Sequence, residues 1–300
     1  MLLNSPTDNS KHVQKPGELY VVATPIGNMN DITLRALEVL GQVDLIAAED
    51  TRHTGRLLAH HKIKGRFVSY HEHNEAERTP ELLDKLQTGL SVALVSNAGT
   101  PSVSDPGYRL ISAAIAGGIN VIPIPGVSAA VCALSAAGLP TDSFVFVGFP
   151  ASKKARRLKQ LEQLAREPRT IIFYESPRRM LTLLQEIVAM MGDRYGVLGR
   201  EMTKLHAEFV RGHLSEIHSR LKARSAIKGE CTLLVTGCQE TQDVSLETIR
   251  NEIIKRLEAT DDSLRDLAKT IAKKYGISKN KVYEEALKIK GKMQGAERKA

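Results

Sequence analysis

Three hundred residues, 42% of them hydrophobic and 25% charged, describe an ordinary globular chain with room for two domains and a small appendage. Three cysteines (Cys132, Cys231 and Cys238) are odd in number and lack paired metal spacing, which argues against a disulfide framework or zinc site and for a reducing, cytoplasmic setting. The net charge of +8 is uneven: residues 1–150 carry −3, residues 151–240 carry +7 and residues 241–300 carry +4, so a polyanionic partner would meet the second half.

The first residues, Met1 to Gly17, are polar and mixed in charge, unlike a signal or transit peptide, and a disordered lead-in is expected over 1–16. Glu18 to Ala23 reads as a first strand ended by Thr24-Pro25-Ile26-Gly27-Asn28. Asp31 is placed to cap the next helix, with Ile32, Leu34, Leu37, Val39 and Leu40 on its buried face. Val43 to Ala48 is a second strand delivering Glu49-Asp50-Thr51-Arg52-His53. Arg66 to Tyr70 is a third, followed by His71-Glu72-His73-Asn74-Glu75 and a helix over 77–87.

Ser91 to Val95 then runs into a twelve-residue loop, Ser96 to Gly107, too polar and too rich in Gly and Pro for helix or strand. Long loops at the carboxyl ends of parallel strands hold ligands. Asn120 to Ile124 is a fifth strand leading into Pro125-Gly126-Val127-Ser128-Ala129-Ala130. Leu110 to Thr141 contains no charged residue, but its Gly and Pro punctuation makes it buried interior rather than a membrane span. The alternation of strand and helix predicts a mostly parallel sheet with helices on both faces.

Beyond it the pattern changes. Phe144 to Gly148 is a strand, 151–166 a basic helix, Arg169 to Tyr174 a strand ending in Glu175-Ser176-Pro177-Arg178-Arg179, and 180–190 a helix. Strands over 195–201, 206–211 and 231–237, with a short helix between the last two, make an α+β unit with antiparallel pairing. Thr241 to Ser245 reads as a linker. The last stretch, 246–291, is helical in pattern, broken near Thr260-Asp261-Asp262 and Tyr275-Gly276-Ile277-Ser278.

The polar clusters of the first half fall at strand ends. No G-x-G-x-x-G follows the first strand and no P-loop is present, which argues against a conventional dinucleotide site and a P-loop hydrolase. His71 and His73 with Glu72 and Glu75 lack a zinc-type partner set, so no metal is expected. The residues alone give a two-domain α/β ligand-binding protein with a basic second half.

Six blocks in order go further: Val21 to Asn28, Ala47 to Gly55, Ala93 to Gly107, Pro125 to Ala130, Tyr174-Glu175-Ser176-Pro177 and Arg200-Glu201-Met202-Thr203-Lys204-Leu205-His206. Together, across roughly residues 17–290, they resemble the tetrapyrrole methylase superfamily, and within it the ribosomal RNA small-subunit methyltransferase I group. The resemblance implies a two-domain α/β fold: a mostly parallel sheet over 17–124, a mixed sheet over 125–240 completing a cleft, and a helical module over 246–291. It further implies S-adenosylmethionine (SAM) as cofactor, 2′-O-methylation of a cytidine ribose in the decoding region of 16S rRNA within the small ribosomal subunit, and a homodimer.

Carried onto this chain, the cofactor positions are Pro25, Asn97, Ala98, Thr100, Val103, Ser128, Ala129, Tyr174 and Thr232. The group usually has Asp where Asn97 stands and commonly Pro where Val127 stands. Asn97 keeps an acceptor oxygen but lacks the charge.

A ribose hydroxyl needs a base or acceptor beside it. Glu49, Asp50, His73, Asp105, Glu175 and Glu201 are candidates, with Glu49, Asp50 and Arg52 taken as the catalytic or ribose-orienting set. The plainer reading is that Glu49 and Asp50 pair with Arg52 and cap the helix that follows. Lys153, Lys154, Arg156, Arg157, Arg178, Arg179, Arg200 and Lys204 are the expected contacts to RNA phosphates. With aromatics at 4% and no Trp, a base-stacking platform is not expected.

The tail offers Leu264, Leu267, Ala268, Ile271 and Ala272, a turn at Gly276, a Ser278 cap, then Val282, Tyr283 and Leu287. Lys279, Lys281, Lys288, Lys290 and Lys292 surround this helix-turn-helix pattern. A nucleic-acid-binding regulator is thus one alternative, and a tetrapyrrole C-methyltransferase on the same fold another.

Overall fold

In a computed structural model of the chain, residues 15–238, 246–259, 263–275 and 279–297 are described. Most of the lead-in, the 241–245 linker, the turn at Gly276 and the Ser278 cap lie outside them.

The first sheet is built from β1 (Glu18–Val22), β2 (Leu45–Ala48), β3 (Phe67–Ser69), β4 (Val92–Val95) and β5 (Asn120–Ile124), in the order β3-β2-β4-β1-β5 with every pairing parallel. Its middle strand β4 is buried along its whole length, as the unbroken run of Val, Ala and Leu requires of a strand covered on both faces. Helices α1 (Leu34–Gln42) and α2 (Thr51–His60) bring Ala36, Leu40 and Leu58 to one face, against Val22, Ile46, Ala93 and Val95. Helices α3 (Glu75–Gln87) and α4 (Tyr108–Ala116) bring Leu82, Leu86, Leu110 and Ala114 to the other, against Leu19, Ala47, Val92 and Leu94.

Helix α1 corrects one expectation. Asp31 does not cap it: residues 29–31 form a 3-10 turn capped by Asn28, and Thr33 accepts the Ala36 N–H at 3.1 Å to begin the α-helix two residues later. Asn and Thr compete well for N-cap positions, and here they split the segment.

After α5 (Ala129–Ala137), the second sheet comprises β6 (Phe144–Gly148), β7 (Thr170–Glu175), β8 (Tyr195–Arg200), β9 (Glu208–His213) and β10 (Cys231–Val235), in the order β6-β7-β10-β8-β9. The β6–β7 pair is parallel and the remaining pairs antiparallel. Alternation sorts its side chains. Ile171, Phe173, Leu198, Leu233 and Val235 pack against α6 (Lys154–Leu164), α7 (Pro177–Met191) and α8 (Leu214–Lys222), while Ile172, Val197 and Leu234 face Ala130, Ala133 and Leu134 of α5. Helix α7 begins at Pro177, three residues earlier than expected, because proline at the first helical position supplies a preset φ and loses no hydrogen bond there. Among the described residues no helix is long and apolar enough to cross a membrane, and α5 within the uncharged stretch is nine residues long.

Both sheets belong to one compact unit, residues 1–165 and 169–236. A second unit holds 166–168 and 237–300, with helices α9 (Leu246–Ala259), α10 (Leu264–Tyr275) and α11 (Lys279–Glu297). Ile253, Leu267, Ala268, Ile271, Val282 and Ala286 form its core. Helix α11 buries Val282 and Ala286 with Ile289 packed beside them, the i, i+4, i+7 spacing of one face. Tyr283 and Leu287, named with Val282 in the helix-turn-helix pattern, are exposed.

Candidate functional site

Strands β1, β2 and β4 deliver their carboxyl ends side by side at the middle of the first sheet, where strand order reverses and ligands collect in open α/β sheets. The loop after β4 is tied there by backbone. Thr24 and Gly99 exchange N–H···O bonds of 2.9 and 3.0 Å, and the Thr24 hydroxyl donates to the Ser96 carbonyl. Gly99 turns at φ +79°, a left-handed conformation that suits glycine. Ser102 and Ser104 hold φ of 67° and 66° without that freedom, local strain of the kind that clusters at functional sites. At Gly148, closing β6, a Cβ would lie 2.8 Å from the Ser104 hydroxyl, so only glycine lets this loop approach the second sheet so closely.

Between loop and sheet lies a cavity of about 340 Å³. The first sheet's loops contribute Ile26 and residues 98–100 and 103–105. Ser128 and Ala129 open α5, and the second sheet adds Phe149, residues 174–177 and residues 229–232. A smaller pocket of about 170 Å³ shares Ile26, Ala98 and Glu230 with it and is otherwise walled by Pro25, Gly27, Met29, His53, Leu57, Asn97 and Lys204.

The electrostatics of the cavity are set by carboxylates. Burial, and then the negative charge of Glu49, push the Asp105 carboxyl up to about 6. Glu49 accepts the Asn97 N–H at 3.0 Å. Glu175 is almost fully buried: its Oε1 accepts from Ser176 N at 2.6 Å and Arg179 Nε at 2.7 Å, while its Oε2 is buried with no hydrogen-bond partner in the protein. Burial raises the Cys231 thiol to about 11, so this side chain stays neutral. Burial also raises the Tyr174 phenol, whose oxygen accepts the Ala130 N–H at 3.0 Å and so ties α5 to β7.

Of the nine expected cofactor positions, Ala98, Thr100, Val103, Ser128, Ala129, Tyr174 and Thr232 line the larger cavity, and Pro25 and Asn97 line the smaller pocket. The three catalytic candidates separate. Glu49 accepts the Asn97 N–H but lines neither pocket, whereas Asp50 is the N-cap of α2, accepting Arg52 N at 2.8 Å and pairing with an Arg52 side chain that is 89% exposed. The plainer reading of Asp50 and Arg52 thus describes their contacts. Asp105 and Glu175, named only as candidate bases, are cavity walls.

The basic residues divide likewise. Lys153, Lys154, Arg156 and Arg178 are exposed and make no ion pair among the described residues. Arg157 does not belong with them: its guanidinium is buried in a bidentate pair with Glu186 at 2.5 and 2.9 Å, and it also donates to the carbonyls of Ala151 and Ser152. Arg179 is held by Glu175, Arg200 by Glu208, and Lys204 by Glu201 and Glu230. The rings of His71 and His73 stand 6.0 Å apart, and among the described residues no cluster of His, Cys, Asp and Glu is placed to hold a metal.

Sequence reasoning missed Ile26, Phe149, Gly229 and Glu230 as walls. Phe149 carried a usable signal, an aromatic just beyond a strand end in a chain poor in aromatics. Gly229 and Glu230 carried none.

The profile of the Tetrapyrrole (Corrin/Porphyrin) Methylases matches residues 18–218. A protein of Escherichia coli O157:H7 named Ribosomal RNA small subunit methyltransferase I is 46% identical over 288 residues, 95% of this chain and 98% of its own length. One of the same name from Micromonospora olivasterospora is 44% identical over 90% of this chain and 86% of its own. Among solved structures, a cobalt precorrin-4 methyltransferase of cobalamin biosynthesis superposes with a TM-score of 0.57 at 20% identity, over 73% of this chain and 94% of its own. A uroporphyrin-III C-methyltransferase from Thermus thermophilus, complexed with S-adenosylhomocysteine, gives 0.54 at 20% identity, over 73% and 97%. These two likenesses speak to the fold.

Proposed function

The chain belongs to the tetrapyrrole (corrin/porphyrin) methylases, and on that premise we propose that it transfers a methyl group from SAM to small-subunit ribosomal RNA, at the 2′-oxygen of a cytidine in the decoding region of 16S rRNA. The observation that carries the RNA substrate is the 46% identity, over nearly the whole of both chains, with a protein so named.

The residues present fit SAM. About 340 Å³ lies within the range of small-molecule sites. Ile26, Val103, Ala129 and Phe149 offer apolar surface to an adenine, and the unpartnered, buried Glu175 Oε2 suits an amine or hydroxyl donor. The carboxylates of Asp105 and Glu230 offset a sulfonium, and the amino end of α5 favours a carboxylate. When bound, SAM supplies an electrophilic methyl whose bond to sulfur breaks as the new carbon–oxygen bond forms, the electron pair leaving on the thioether.

This chain's own part is to hold the ribose oxygen in line and take its proton. Positioning of that kind contributes about 7–11 kcal/mol in favourable cases. For the proton we assign Asp105, a cavity wall whose pKa, raised by burial and then by the charge of Glu49, matches a base working near neutrality. Asp50 and Arg52 then form the start of the helix that follows Glu49. Lys153, Lys154, Arg156 and Arg178 are the exposed cations left to meet phosphates. The homodimer and the cytoplasmic setting belong to the same proposal.

The test is to incubate the protein with methyl-labelled SAM and, separately, 30S subunits, naked 16S rRNA and uroporphyrinogen. Label is expected in RNA, in an alkali-resistant dinucleotide, because a 2′-O-methyl group blocks cleavage at the neighbouring phosphate. Label in the tetrapyrrole, or on an RNA base, would overturn the proposal.

A further inference from the structure

The smaller pocket holds Pro25 and Asn97 of the expected cofactor set and opens on the same space as the larger cavity through Ile26, Ala98 and Glu230. Its polar side chains come from four separate segments: His53 from α2, Asn97 from the loop after β4, Lys204 from the connection between β8 and β9, and Glu230 from just before β10. Two of the three Lys204 donors are taken by Glu201 at 2.9 Å and Glu230 at 3.2 Å, which leaves one for a ligand. The Asn97 Oδ1 is buried without a partner. Met29 and Leu57 add apolar surface. A nucleoside, with flat faces and an edge of amino, carbonyl and hydroxyl groups, matches that lining.

Residues 201–207 form the loop that supplies Lys204 to this pocket. Glu201 and Thr203 sit at φ of 51° and 64°, in the left-handed region disfavoured for both. The loop is pinned on each side: Glu201 N donates to the Glu230 carbonyl at 3.0 Å, Lys204 N to the Glu201 carbonyl at 3.0 Å, Ala207 N to the Lys204 carbonyl at 3.1 Å, and Asn28 N to the Thr203 hydroxyl at 3.2 Å. On this braced turn Leu205 stands 94% exposed, between Lys204 and the exposed His206. An isolated exposed leucine is ordinary. One that follows the pocket's Lys204 directly, on a braced loop with two left-handed residues, is not.

We propose that the smaller pocket seats a single nucleoside turned out of its RNA, and that Leu205 enters the base stack at the position the nucleoside vacates. The inference rests on the ribose-methylation reading. A base stacked in RNA cannot reach a concave pocket without leaving the stack, and apolar wedges are a general means of stabilising the unstacked state.

The experiment uses the full-length protein, labelled SAM, 30S subunits and naked 16S rRNA. Leu205→Gly is expected to lower kcat/KM for RNA about 10–100-fold, with Leu205→Met close to wild type. His53→Trp, which fills the pocket, is expected to lower transfer by more than about 100-fold. Both should leave the Kd for SAM unchanged, which also reports that the variants fold. Leu205→Gly methylating like wild type would overturn the wedge, and so would loss of activity accompanied by a change of oligomeric state in sedimentation, which would make Leu205 a subunit contact. Undiminished transfer by His53→Trp would overturn the pocket assignment. Failure of the wild-type protein to label any RNA is a distinguishable result that overturns the functional reading beneath both.

Discussion

Asp105 is the residue on which the chemistry is most open to test. Its carboxyl is raised to about 6, so transfer by the wild-type protein should rise with pH and reach half its plateau near that value. Asp105→Asn should lower kcat by about 10²–10⁴-fold and remove the inflection. The same shift has a stability consequence of opposite sense. A carboxyl whose folded pKa lies above its unfolded value contributes stability that is full below about 3.9 and is lost as pH rises through about 6. Asp105→Asn should therefore match wild type at pH 4 and be more stable at pH 7.5 by about 1–2 kcal/mol, after discounting for solvent access, as thermal unfolding at the two pH values will report.

Asn97 is the neighbouring case. Its N–H binds Glu49, so Asn97→Asp adds a third carboxylate beside an already crowded pair. We expect turnover and SAM affinity to change by less than about tenfold, roughly 1.4 kcal/mol, while the pH midpoint moves upward. A downward move would contradict the electrostatic picture.

Among the elements, α6 separates structural from surface charge within a few residues. Four cations sit close together in sequence at its start, Lys153, Lys154, Arg156 and Arg157, yet only Arg157 turns inward, one face of the helix being committed to the core with Leu161. Arg157→Ala leaves Glu186 buried without its partner and should cost about 3–5 kcal/mol in urea unfolding. Lys153/Lys154/Arg156→Ala should change stability by less than about 0.5 kcal/mol while weakening RNA binding and flattening its salt dependence. Equal loss of SAM binding in the triple variant would contradict the division of labour. Tyr174 joins elements in another way, through its bond to the amino end of α5. Tyr174→Phe should cost about 1 kcal/mol and weaken SAM binding, since it frees the helix that forms one cavity wall.

The chain as a whole divides after Thr236, where the two-sheet unit ends and the helical unit with its own core resumes. Every cavity residue lies in the first unit. A chain ending at Thr236 should accordingly bind SAM within about threefold of the full protein in calorimetry. Loss of SAM binding in a folded truncation would make the helical unit part of the cofactor site.

Much of this was legible in the sequence because it is local. The mostly apolar runs of β4, β7 and β10 and the Gly- and Pro-rich loop after β4 follow from residue pattern and backbone sterics acting within a few residues. Boundaries failed where two good caps, Asn28 and Thr33, split a segment that a single cap at Asp31 was expected to begin. What only the tertiary structure decided was pairwise and distant in sequence. Arg157 is buried because Glu186 stands opposite it, the Asp105 carboxyl is raised because packing buries it and then because Glu49 lies near it, and Glu230 becomes a cavity wall because β10 is inserted between β7 and β8. Burial and charge coupling depend on neighbours that the chain supplies from dozens of residues away, so residue type alone set which groups could do chemistry, and the packing of the two sheets set which of them meet.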